Sequence, residues 1–226
     1  MEITYHVPLF IIAWFLQMGL HEGGHAYAAF ALGDDTASLM GKRSFNPLAH
    51  VEWDNFNSIL MSVIIPSLTA LGGYPPMGMA WVPVNPRRFK KPSRDHALVS
   101  FAGPLGNFVL MALCLMGHIV LGLFPQVDMS SPGQSWTMGS TVWLLDQLAL
   151  HVYLTSALYG LFNLLPIPPL DGSMILRHFL PYQAQRKYDE LRPYGMMILI
   201  VLFWIGNGGV VLNGPLTAFM MVWAIL

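Results

Sequence analysis

Residues 16–30 read LQMGLHEGGHAYAAF, an apolar stretch with His21, Glu22 and His25 at its centre and Gly23 and Gly24 between them. Ionisable side chains cost free energy in such a setting, and each glycine costs about 1 kcal/mol against alanine in a helix interior. A chain that needed only a buried helix would carry none of the five. On a helix, positions i and i+4 share a face, so His21 and His25 can bind one metal ion. Glu22 stands beside them, within reach of a water held by that ion, and can act on it as a general base.

Composition identifies the apolar setting. Of 226 residues, 54% are hydrophobic and only 10% charged, and the mean hydropathy is +0.52. A soluble domain carries about 25% charged residues. Several apolar runs approach the roughly 20 residues that cross a bilayer. The expectation is an all-α polytopic membrane protein, one domain over residues 1–226 with its catalytic core at about 8–180. An ionisable residue inside a membrane helix is rare and by default functional, which favours zinc at HEGGH. A net charge of −1 gives no basis for a nucleic-acid partner. Cys114, the only cysteine, excludes an internal disulfide and a cysteine metal site. The opening MEITYHVPLF lacks the basic region of a secretory signal, so the first apolar run is expected to remain as a helix.

Five to six transmembrane or re-entrant helices are expected. The first covers about Pro8–Leu32 and stops at Gly33-Asp34-Asp35. TASLMGKRSFNPLAHVEW reads as a short β-hairpin or an irregular loop. Ser58–Leu71 is apolar, short and interrupted by Pro66; Ala97–Phe124 and Thr141–Leu165 are long spans around a polar, turn-rich stretch at 125–140. An amphipathic segment covers 171–194, and Met196–Ile205 and Leu216–Leu226 are two short apolar pieces split by GNGG and NGP. Nine of the eleven Lys and Arg lie in 87–94 and 177–192, so both loops should face the cytoplasm. Lys42 and Arg43 join them there if 58–71 re-enters rather than crosses, which its fourteen residues favour.

Two histidines leave a catalytic zinc one protein ligand short. Asp171 stands out among the candidates His50, His118, His151, His178, Asp146 and Asp171. It follows FNLLPIPPL, whose prolines cannot sit in a regular helix interior and should open the backbone at membrane depth. Alone, the segment suits Asp171 as the N-cap of a helix beginning at Gly172. Beside an incomplete HExxH, it suits a third ligand.

HEGGH, FAGPLGN (Phe101–Asn107) and NLLPIPPLDG (Asn163–Gly172), in this order, resemble the site-2 protease family of intramembrane zinc metalloproteases. The resemblance covers about residues 10–180, and no stretch is left over for a PDZ or CBS module, as in the compact prokaryotic branch. It implies His21, His25 and Asp171 as ligands of one Zn²⁺, Glu22 as general base and Asn163 as a substrate-holding residue. It also implies a membrane-spanning protein substrate, a prokaryotic cell membrane and a site reached from the cytoplasmic side. The FAGPLGN helix matches with Gly103, Pro104 and Asn107. Read from the residues alone, Ala102 and Gly106 form a small-xxx-small pair for close packing, and Asn107 needs a polar partner in a structural role. The implied partners are that substrate and the lipid bilayer; self-association into a homo-oligomer stays open.

Ala37–Val51 is the candidate edge for pairing with an extended substrate; Asn46, His50 and Asn55 are candidates to line a polar channel, although each reads first as an ordinary polar loop residue. His118 and His151, inside apolar spans, are expected to bond a carbonyl or a neighbouring helix. The alternative function is a polytopic metal transporter or channel using the same His/Asp site. Glu22 discriminates, because transport needs no general base beside two ligands.

Overall fold

A computed structural model describes residues 3–122, 141–205, 217–219 and 221–222. The first apolar run is one helix, α1 (Ile3–Ala31), which starts earlier than expected because Pro8 lies inside it rather than at its start. It ends at Gly33, whose φ of +105° suits glycine. The long spans are α5 (Pro92–Gly122) and α6 (Thr141–Asn163). α7 (Asp171–Phe179) and α8 (Tyr182–Asp189) make up the amphipathic segment, and α9 (Gly195–Ile205) begins the C-terminal apolar region. The polar stretch 125–140 and the GNGG and NGP breaks lie outside the described residues.

α5 is the central element and packs against α6, α1 and α7. Small residues set the α1–α5 crossing. A Cβ on Gly24 would stand 2.5 Å from Ala102 O, and one on Gly106 would stand 2.7 Å from Leu20 O. The two helices therefore run antiparallel with backbones nearly touching, as the Ala102/Gly106 pair predicts. Gly160 lets α6 approach in the same way, with Phe108 and Asn107 of α5 across from it. The opposite face of α5 exposes Leu98, Phe101, Leu105, Val109, Leu113 and Met116, an apolar stripe at helical spacing. By length and composition, Pro92–Val120 is the one helix among the described residues that qualifies as a membrane span, and its outward stripe fits lipid.

Between α1 and α5 the chain forms α2 (Thr36–Leu39), a 3₁₀ turn at Pro47–His50, then α3 (Phe56–Ile59), a π-turn at Leu60–Ile64 and α4 (Ile65–Leu71). No strand occurs among the described residues; of the two expectations for 36–53, the irregular loop is the one seen, and Ala37–Val51 offers no strand edge. The proline explains part of this geometry. Pro66 has no N–H, so the carbonyl four residues earlier loses its helical donor. That carbonyl, Ser62 O, accepts instead from Trp14 Nε1 of α1 at 2.8 Å. Both ends of the insertion return to the C-terminal end of α1. Asp34 accepts from Asn85 N at 2.6 Å, and Asp35 pairs with Arg88.

The Gly106–Leu20 contact yields a direct comparison. Gly106→Ala is expected to destabilise the protein by about 1–3 kcal/mol through overpacking. Gly117→Ala, in the same helix with nothing within 4 Å of the added carbon, should be neutral or stabilise by up to about 1 kcal/mol. Thermal unfolding in detergent should separate the two; equal melting temperatures would contradict the close crossing.

Candidate metal centre

HEGGH lies in the second half of α1, where the i, i+4 spacing places both imidazoles on one face. His21 Nε2 and His25 Nε2 stand 3.1 Å apart. Asp171 Oδ2 lies 3.2 Å from the first and 3.3 Å from the second. Asp171 is the first residue of α7; Leu170 occupies the cap position, with no side-chain cap bond. The aspartate therefore turns to the histidines instead of capping its helix. The irregular turn 164–170 delivers it there. Its prolines end α6 at Asn163, and Gly172 lets the start of α7 sit against the backbone of Leu164 and Leu165.

Hydrogen bonding fixes what these three atoms are. His25 Nδ1 faces Val99 O of α5 at 2.7 Å. A carbonyl only accepts, so Nδ1 carries the proton and Nε2 turns its lone pair inward. His21 Nδ1 faces the Asn107 amide at 3.2 Å. With Oδ1 turned to His21, that amide accepts from Nδ1 and from Gly160 N at 3.3 Å, while its nitrogen donates to Gln17 O at 3.2 Å. This orientation satisfies every group of a fully buried side chain. Two imidazole lone pairs and a carboxylate oxygen then converge with no donor among them, an arrangement that a cation resolves. Tetrahedral zinc with N and O ligands at about 2.0–2.2 Å needs ligand atoms about 3.3–3.6 Å apart, close to the separations found. Gly103 closes one side. A Cβ there would overlap His25 and stand 2.8 Å from His21 Nε2, so any larger residue would occupy the ion's surroundings. His21, His25 and Asp171 thus fit zinc in donor type, spacing and outer hydrogen bonds.

The three residues open onto a cavity of about 510 Å³ whose wall also includes Glu22, Asn163, Tyr159, His96 and Ser100. Glu22 is buried with the histidines and faces the same space. Asn163 donates to Tyr159 O at 3.1 Å at the end of α6. The candidate channel residues take the loop roles that each read as first. Asn46 and Asn55 accept from backbone N–H groups at Leu48 and Asn57, and buried His50 donates to Ser44 O. Each satisfies a nearby turn, and none borders the cavity.

Sequence reasoning missed the wall opposite α6. Residues 77–85 run along the cavity without helix or turn, contributing Gly78, Met79, Ala80, Trp81, Val82 and Val84. Bonds anchor this segment at Gly78 N, to Tyr159 OH at 3.1 Å, and at Met79 N, to Met61 O at 3.0 Å. Lys42, buried in the insertion, holds its middle. The ammonium donates to Glu52 Oε1 at 2.7 Å and lies 4.8 Å over the Trp81 ring. That hydrogen bond keeps the Glu52 carboxyl below the usual carboxylate range. The prolines at 75, 76 and 83, which favour extended backbone, are the sequence feature from which the segment could have been read.

Comparison with known proteins gives a family match. Residues 9–206 match the profile of Peptidase family M50. A Bacillus subtilis (strain 168) protein named "Putative zinc metalloprotease YwhC" is 34% identical over 215 residues, 94% of this chain and 87% of that protein. "Putative zinc metalloprotease Rip2" of Mycolicibacterium smegmatis is 30% identical over 195 residues, 86% of this chain and 66% of its own length. The Rip2 of Mycobacterium tuberculosis (strain H37Rv) is 28% identical over 194 residues, 85% and 65% respectively. The chain spans about two thirds of the length of the two Rip2 proteins. No solved structure matches it significantly.

Asn107→Leu removes the acceptor of His21 Nδ1 without touching the three converging atoms. Zinc affinity, measured by chelator competition on the purified protein, is expected to fall about 10–100-fold. Unchanged affinity would mean that the amide does not orient His21.

Proposed function

The chain belongs to peptidase family M50, the site-2 protease family, and we propose that it hydrolyses a peptide bond of a membrane-spanning protein, with zinc held by His21, His25 and Asp171. The observation that carries this reading is the convergence of three acceptor atoms beside a buried glutamate. Bound there, zinc supplies a Lewis acid that polarises the scissile carbonyl and acidifies water. Glu22 takes the proton of the attacking water on its carboxylate and returns it to the leaving amine. Val99 O and Asn107 hold the two imidazoles in the tautomers that leave Nε2 free to bind. Asn163, at the cavity wall, binds the substrate backbone next to the reacting bond.

A membrane helix hides its carbonyls in its own hydrogen bonds, so the substrate must unwind before attack. The segment 77–85 suits the unwound form. Among the described residues, the N–H groups of Ala80, Trp81 and Val82 have no partner in the chain, and all three residues line the cavity. An extended peptide pairs there by strand addition.

The catalytic end of the bundle faces the cytoplasm. Gly24 of α1 meets Ala102 near the start of α5, and α5 directly follows the basic loop 87–94. The Asp34–Asn85 and Asp35–Arg88 contacts bring the chain back to the end of α1 it left from. Phe56–Leu71, sixteen residues and roughly 24 Å long, is short of a 30 Å core. It therefore enters and returns, keeping Lys42 and Arg43 on the basic side. The transporter reading accounts for the ligands but leaves Glu22 without a purpose.

Glu22→Gln is expected to keep zinc and lose cleavage by about 10²–10⁴-fold; cleavage at the wild-type rate would sink the assignment. Asp171→Ala should lose zinc as well as activity. Metal content by mass spectrometry alongside cleavage of a model transmembrane substrate measures both.

A further inference from the structure

Hydrolysis uses the histidines at one end of the bundle and leaves a second pair at the other end. His6 lies fifteen residues before His21 on α1, roughly 22 Å along the helix. His6 Nδ1 stands 3.0 Å from His151 Nε2 of α6, with ring centroids 5.1 Å apart. His151 Nδ1 lies 2.6 Å from Gln147 O. A carbonyl only accepts, so this nitrogen carries the proton and Nε2 presents its lone pair to His6. His25 is oriented in the same way by Val99 O, and the 3.0 Å separation repeats the 3.1 Å between His21 and His25. Phe10 packs edge-on against the His151 ring at 4.7 Å, which limits its rotation. Two imidazoles from different helices, one oriented by a backbone acceptor in the manner of a metal ligand, form a site distinct from the catalytic one.

We propose that His6 and His151 are a second transition-metal site, a two-histidine clip between α1 and α6. The chemistry selects a divalent ion with strong affinity for imidazole, such as Zn²⁺, Cu²⁺ or Ni²⁺, over Mg²⁺ or Ca²⁺. Loading the clip requires no proton to leave. With the metal absent, His6 as the Nδ1–H tautomer donates to His151 Nε2. With metal bound, His6 as the Nε2–H tautomer turns its Nδ1 lone pair to the ion, and water fills the remaining positions. Two protein ligands bind more weakly than three, so this ion exchanges more readily than the catalytic one. The clip ties the N-terminal turns of the helix that carries HEGGH to α6, which ends at Asn163. An ion on it therefore stabilises the bundle from the face opposite the basic loops.

Metal counting tests this independently of any proteolytic activity. The purified full chain, stripped with chelator, is loaded with Zn²⁺ and, in parallel, Cu²⁺, then desalted and analysed by mass spectrometry. Wild type should hold two ions per chain, and His151→Gln, which keeps a polar side chain in the helix, should hold one. His6→Ala should also hold one, and His118→Ala should still hold two. A variant with the catalytic site removed, His25→Ala, should keep one ion, and its melting temperature should rise with added Zn²⁺. Combining it with His151→Gln should abolish that rise. Cu²⁺ on the His25→Ala protein should give an electron paramagnetic resonance spectrum with nitrogen coupling. One ion in wild type, or two in both His6→Ala and His151→Gln, would overturn the proposal. Loss of the ion in His25→Ala alone would count against the second site without bearing on the first.

Discussion

The close crossing of α1 and α5 is the contact from which the rest of the structure follows. Gly24 rests on Ala102 and Gly106 on Leu20, so the two backbones approach as only small residues permit. At that distance Gly103 falls directly over the imidazoles, Val99 O reaches His25 and Asn107 reaches His21. A wider crossing would keep HEGGH intact but leave its outer nitrogens without acceptors. The two glycines of the motif serve different neighbours. Gly24 admits α5, whereas Gly23 admits the chain at Ser44 and Phe45. Their unfavourable helix propensity, about 1 kcal/mol each, is offset by packing on two sides of one helix turn.

Prolines act where backbone groups must be freed or redirected. In an apolar medium an unpaired carbonyl costs several kcal/mol, so each proline inside a helix implies a replacement donor. Pro66 illustrates this, since Trp14 Nε1 reaches the carbonyl it leaves unpaired. That bond also fixes the insertion against α1, next to the cavity. In the 164–170 turn the same residue type ends α6 just after Asn163 and begins α7 with Asp171. One interruption therefore delivers two polar side chains to the site from consecutive elements. Tyr188 OH donates to Pro166 O at 2.8 Å and ties the turn to the amphipathic segment. There Arg177 grips Asp189 with two bonds of 2.8 Å and holds that carboxyl below the usual range.

Much of the site was legible because its elements are local in sequence. His21 and His25 are one turn apart, and the PIPP break announces an opened backbone before Asp171. The Ala102/Gly106 spacing likewise announced a close crossing. What could not be read depends on how elements face one another. Asn107 asked for a polar partner, but only the rotation of α5 about its axis selects His21. The same holds for His6 and His151, 145 residues apart and unrelated by any spacing rule. The cavity wall was misplaced for a different reason. Residues 37–51 are mixed in polarity and could be read as a hairpin or a loop, and their polar groups at Asn46 and His50 are spent on turns. The proline-flanked segment 77–85 is bonded at Gly78, Met79 and Asn85, and between these anchors the N–H groups of Ala80, Trp81 and Val82 are without a partner among the described residues.

Charge balance favours an aspartate as the third ligand of the proposed zinc site and a glutamate buried beside it. Two neutral imidazoles contribute no charge, so a divalent ion held by them alone would leave two positive charges at membrane depth. Such a charge is costly unless paired. With zinc in the proposed site, the Asp171 carboxylate would offset one of these charges and a carboxylate at Glu22 the other. A third histidine at 171 would leave one positive charge there, and a glutamine at 22 does the same. A proton that Glu22 took from an attacking water would stay within the centre, so its net charge would not change, and the protonated carboxyl would be the donor to the leaving amine.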